Sequence, residues 1–111
     1  MKPAILLAAS LLISASVPLS GHAASFDCAK AATSVERQIC ADEKLSLMDD
    51  ELNKVYREAL ATGPKPELLK SVQRDWLTDV RDRCTDRQCL TEAYQSRLDD
   101  FLAPGKSSTR K

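Results

Sequence analysis

The sequence predicts an all-α protein, a small bundle of about four short helices stapled by two local disulfides. Three observations carry that expectation. Apolar residues recur at three- and four-residue steps, and no window alternates convincingly with period two. Cap residues stand at the start of successive apolar runs, and four cysteines bracket two of the joints.

The first element is not expected to belong to the folded domain. MKPAILLAASLLISASVPLSGHAA places Lys2 before an apolar run from Ala4 to Val17, followed by Pro18. The run is shorter than the ~20 apolar residues a spanning helix needs. Gly21 and Ala23 supply the small residues at −3 and −1 of a cleavage site. A cleaved signal peptide over residues 1–23 is therefore expected, with cleavage after Ala24 as the second choice. The first cysteine, Cys28, follows Ser25, Phe26 and Asp27 rather than the small-residue run of a lipoprotein signal. The expected product is periplasmic or secreted, with no stable membrane anchor.

Removal of 23 of the 111 residues leaves 88, enough for one small domain. A chain of that size buries only ~60 to 65% of its unfolded surface, so covalent help matters.

Thr33 to Glu36 has the S/T-x-x-E form of a capping box and predicts a short helix ending near Cys40. Asp42 is placed to cap a longer helix, in which Leu45, Met48, Leu52, Val55, Tyr56 and Ala59 form one stripe until Gly63 and Pro64 end it. Pro66 suits the first turn of a third helix, where its missing amide hydrogen has no helical partner. Leu69, Val72, Trp76 and Val80 are expected to carry the stripe toward Cys84. Asp86 can cap a fourth helix with Leu90, Ala93, Tyr94, Leu98 and Phe101 facing inward. The helical domain is thus expected over 24–102, and 103–111, APGKSSTRK, as a disordered basic tail without apolar periodicity.

Four cysteines admit three pairings. Cys28 with Cys40, and Cys84 with Cys89, are favoured because each closes a short connection whose ends the helices already bring together. An oxidising compartment permits such bridges. A four-thiolate zinc site usually shows C-x2-C knuckles, and a redox pair C-x-x-C; the gaps here are eleven and four residues. Swapped pairings remain a further possibility at this stage.

Several chemistries are disfavoured by composition. The single histidine, His22, lies in the segment expected to be removed, which leaves no imidazole for Cys-His or Ser-His catalysis or for a histidine-containing zinc site. No cofactor or metal is expected. Residues 24–102 carry 12 basic and 16 acidic side chains, a net of −4, unlike a nucleic-acid-binding domain. Asp79 with Asp82, or Asp99 with Asp100, could suggest a glycosidase. Such an enzyme needs a cleft and separated carboxyl pKa values, and a core this small leaves little room for a cleft. A non-enzyme is expected.

FDCAKA at 26–31, ERQIC at 36–40, MDDELNKVY at 48–56, QRDWL at 73–77 and RDRCTDRQCL at 81–90, followed by Tyr94 and Arg97, form one ordered pattern. It resembles the lysozyme inhibitor LprI-like family of small exported bacterial proteins, over about residues 26–102. The resemblance implies an α-helical, disulfide-bonded domain outside the bacterial cytoplasm, with lysozyme inhibition as its activity and lysozyme as partner. The competing reading is a non-catalytic structural or adaptor module that binds another envelope protein.

Three residues are candidates for partner binding. Trp76 could anchor an interface, although its place in the stripe points first to core packing. Asp49 and Asp50, with Glu51 beside them, could present carboxylates to a basic enzyme or form an ordinary solvated helix face. Tyr94 and Arg97, one turn apart, could pair on the helix surface. For a cleft-blocking element, the joint from Thr62 to Pro66 and the turn CTDRQC are both candidates.

Overall fold

The structure is a computed structural model and describes residues 24–104; the expected signal peptide and most of the expected tail lie outside them. Four α-helices follow in order: α1 (Ser34–Ala41), α2 (Glu43–Thr62), α3 (Pro66–Asp79) and α4 (Arg87–Leu102). Short 3-10 turns precede α1 at Cys28–Lys30 and follow α3 at Arg81–Arg83, and there is no strand among the described residues. The all-α expectation holds.

Local chemistry sets most of the helix starts. Thr33 Oγ1 accepts the Glu36 amide at 3.1 Å, as a capping box requires, while the Glu36 carboxylate accepts from the Thr33 hydroxyl at 3.0 Å. Asp42 closes α1 and opens α2, its carboxylate accepting the Leu45 amide at 3.0 Å. Asp86 does the same for α4 through the Cys89 amide at 2.8 Å. Replacing such a cap by alanine typically costs ~1 kcal/mol. Pro66 occupies the start of α3, where Lys65 supplies no side-chain cap.

The core forms chiefly where α2 lies along α4, with α1 folded back onto α2. Val35 and Ile39 of α1, Leu45 and Leu52 of α2, and Leu90, Ala93, Tyr94 and Leu98 of α4 are buried. Burying a side chain such as Ile39 or Leu90 contributes about 1.5 to 3 kcal/mol relative to exposure. Phe26, Met48, Val55, Trp76 and Phe101 pack around that centre and are partly buried.

Helix α3 departs from the expected stripe. Val72 and Val80 are 42% and 44% exposed, and the buried residue of α3 is Gln73. Trp76 does turn inward, its ring meeting Tyr94 edge-on at 5.4 Å between centroids. The helix therefore meets the core through Trp76 and is tied to α4 through Gln73, while Leu69 and Leu77 are half-buried. It ends at Asp79, so the 3-10 turn rather than a continued helix delivers Cys84 to the core.

Both local disulfides are present: Cys28–Cys40, with 5.8 Å between α-carbons, and Cys84–Cys89, with 5.4 Å. No cysteine is left free, so neither the four-thiolate zinc site nor a swapped pairing is formed. The first bridge ties the leading 3-10 turn to the end of α1. The second spans CTDRQC and holds the corner between α3 and α4. On a loop-entropy model each restricts the unfolded chain by about 2 to 3 kcal/mol.

Candidate functional site

Two buried polar nodes tie the helices to one another. The first is centred on Asp49 of α2, which is only 5% exposed. Its Oδ2 accepts the Ser25 amide at 2.8 Å and the Ser25 hydroxyl at 2.6 Å, and its Oδ1 accepts the Tyr94 hydroxyl at 2.6 Å. Burying a carboxylate is costly without such donors. With them, it pins the chain before α1 to both central helices. Burial, reinforced by the Asp49 carboxylate, pushes the Tyr94 hydroxyl well above its ordinary pKa, so it stays protonated and donating.

This corrects the expectation for Asp49. Its carboxylate is consumed inside the fold and is not presented to a partner, whereas Asp50 beside it is exposed.

The second node is Arg97 of α4, 9% exposed. Its Nε donates to Gln73 Oε1 at 2.9 Å, its Nη1 reaches Asp100 at 3.4 Å, and its guanidinium lies 4.8 Å from the Phe101 ring centre. Arg97 explains why a glutamine is the buried residue of α3. Tyr94 and Arg97, which could have met on the helix surface, are instead both buried and form two separate anchors, Tyr94 to α2 and Arg97 to α3.

A third tie joins the helix starts. Arg87 at the start of α4 donates through Nε to the Asp42 carboxylate that caps α2. The Arg87 hydrogen bond, then the Leu45 amide, hold the Asp42 carboxyl below the usual carboxylate range. These nodes contain residues that the sequence reading gave no role: Ser25, Gln73 and Arg87. Their partners are 24 or 45 positions away, beyond the reach of any local pattern.

A depression of about 360 Å³ lies among Ser25, Phe26, Glu36, Asn53, Tyr56, Gln73, Leu77 and Arg81. Glu36 is the one carboxylate in its lining, too few for the acid and base of glycoside hydrolysis. Of the carboxylates considered earlier, Asp82 is paired with Arg81 at 2.8 Å and Asp100 with Arg97. No cluster of three or more metal-ligating side chains capable of holding a metal occurs among the described residues. None of their helices is long and apolar enough to cross a membrane.

A sequence profile described as "Lysozyme inhibitor LprI" matches residues 28–104, taking in both disulfides and all four helices. The chain belongs to the lysozyme inhibitor LprI family. Relatives include proteins named "Lipoprotein LprI" from Mycobacterium bovis and Mycobacterium tuberculosis, each 41% identical over 85 residues, covering 73% of this chain and 41% of the relative. The chain thus spans less than half the length of these curated LprI relatives. A Rhizobium meliloti protein described as uncharacterized is 30% identical over 105 residues, covering 81% of this chain and 72% of its own length. No solved structure matches. The LprI domain is in this case a helical unit whose joints are closed by sulfur and whose interior is tied by Asp49 and Arg97.

Proposed function

We propose that this protein is a non-catalytic inhibitor of lysozyme, exported from the cytoplasm on its leader and acting in the bacterial envelope or beyond it by covering the enzyme's substrate cleft. The observation that carries the reading is the LprI family match across 28–104, nearly all of the described chain. The physical properties of the domain support it. Two bridges and two buried polar nodes keep the binding surface from paying much ordering entropy on association. The −4 charge of residues 24–102 favours encounter with a cationic hydrolase.

The deciding experiment is a turbidity assay of peptidoglycan digestion by hen egg-white lysozyme with increasing amounts of purified protein. Dose-dependent protection is expected at micromolar inhibitor. Unchanged digestion at a large molar excess would remove the proposal and favour an adaptor that binds another envelope protein.

A further inference from the structure

The surface of α3 divides sharply by chemistry. Leu68 and Val72, one turn apart, are 57% and 42% exposed. Asp75 and Asp79 continue the same line, at further steps of three and four residues, and both are exposed. At 100° per residue these four side chains fall within about 60° around the helix axis. Gln73 ties the helix to α4 from another side, and all four side chains of the line are exposed.

Charge singles this line out. The cations of α3, Lys70 and Arg74, project from the other flank, and Lys70 is engaged with Glu67 at 3.1 Å. Asp75 and Asp79 take part in none of the ion pairs among the described residues. The other exposed leucine near carboxylates, Leu47 on α2, is 54% exposed but stands one turn from Lys44 and two from Lys54. That face is mixed in sign. Within the helix this line carries carboxylates only; Lys65, the cap residue one turn before Leu68, brings a cation to its apolar end, and Asp75 with Asp79 leaves the other end acidic.

We infer that Leu68, Val72, Asp75 and Asp79 form the docking surface of this protein, and that its occupant is a cationic protein presenting an apolar patch flanked by basic side chains. This rests on the inhibitor reading, and it assigns that reading's contact surface to α3 rather than to the Asp49–Asp50 region of α2. The two leucine and valine side chains supply the desolvated centre, and the two carboxylates steer and orient. The joint from Thr62 to Pro66 leads directly into the Leu68 end of this line, and it borders the contact rather than forming its centre.

The test compares binding and inhibition of hen egg-white lysozyme by the wild type and three double variants. These are Leu68→Ala with Val72→Ala, Asp75→Asn with Asp79→Asn, and, as the control on α2, Leu47→Ala with Asp50→Asn. All six side chains are exposed, and circular dichroism and thermal unfolding verify that each variant remains folded. The apolar pair is expected to weaken binding about tenfold or more. The acidic pair is expected to slow association by about threefold to tenfold at low salt and to flatten its salt dependence. The α2 pair should remain within about twofold.

A wild type that inhibits, with α3 variants that inhibit equally well, overturns this assignment and leaves the inhibitor reading standing. A wild type that neither binds nor inhibits overturns both. Sedimentation showing a dimer that the Leu68→Ala, Val72→Ala pair dissociates would make a second copy the occupant, and that too overturns the assignment.

Discussion

Removing the Asp49 carboxylate strands the fully buried Tyr94 hydroxyl and releases the amide and hydroxyl of Ser25, an exposed residue, to water. An unsatisfied buried donor costs about 1 to 3 kcal/mol, so Asp49→Ala is expected to lower unfolding stability by about that amount in a urea titration. Asp50→Ala, one position along and exposed, should stay within about 0.5 kcal/mol. Equal losses from the two would show that the Asp49 node does not hold the fold. Asp42 gives a residue-scale prediction in pH. The Arg87 hydrogen bond and the Leu45 amide depress its folded pKa below the ordinary value near 4. A depressed carboxyl contributes stability that is present above its unfolded pKa and is lost as pH falls through the folded pKa. Asparagine at this position still caps the helix but cannot pair with Arg87 as an anion. The stability difference between wild type and Asp42→Asn should therefore be constant above about pH 5 and shrink as pH falls toward 2. Because Arg87 is largely exposed, added salt should reduce the difference as well.

The helices differ in how openly the sequence declares them. Thr33, Asp42 and Asp86 act on amides three residues away, and such caps are visible in a short window of sequence. The inward face of α3 is not visible there. A stripe of Leu69, Val72, Trp76 and Val80 looks continuous, yet Val72 is exposed where Arg97 of α4 draws Gln73 into the buried position, and Val80 is exposed beyond the end of the helix at Asp79. Asp49 is hidden for the same reason, since its burial depends on donors 24 and 45 residues away. Gly63 shows a subtler difference at the element scale. It ends α2, as glycine often does, but with φ −80° and ψ 157° rather than in the left-handed conformation. What requires glycine there is space: a β-carbon would lie 2.7 Å from the Ala59 carbonyl oxygen, the same oxygen that accepts the Gly63 amide at 2.8 Å. Gly63→Ala must push the end of α2 open, and a loss of about 1 to 2 kcal/mol is expected in thermal or urea unfolding. Thr62→Ala, at an exposed neighbouring site, should change stability by less than about 0.5 kcal/mol. A neutral Gly63→Ala would mean that the joint into α3 relaxes freely.

Across the whole molecule, charge and rigidity act on different steps of association. In the proposed complex with lysozyme, the bridges and buried nodes would act on its lifetime, by fixing the surface that must remain seated. The long-range field determines how often partners meet, and there the two parts of the chain oppose one another. Residues 24–102 carry a net of −4, and Lys106, Arg110 and Lys111 return three positive charges, leaving −1 for 24–111. At an ionic strength of 0.1 M the field of exposed charges is screened over about 10 Å, so the balance matters chiefly in dilute buffer. Deleting residues 105–111 should therefore speed association with hen egg-white lysozyme about twofold to fivefold at 20 mM salt, with little change in dissociation, and the gain should vanish near 0.5 M. Stopped-flow mixing at a series of salt concentrations separates the two rates. A gain that persists at high salt would mean that the tail obstructs the contact sterically. A loss on deletion would mean that its cations touch the partner, contrary to docking through the acidic face of α3.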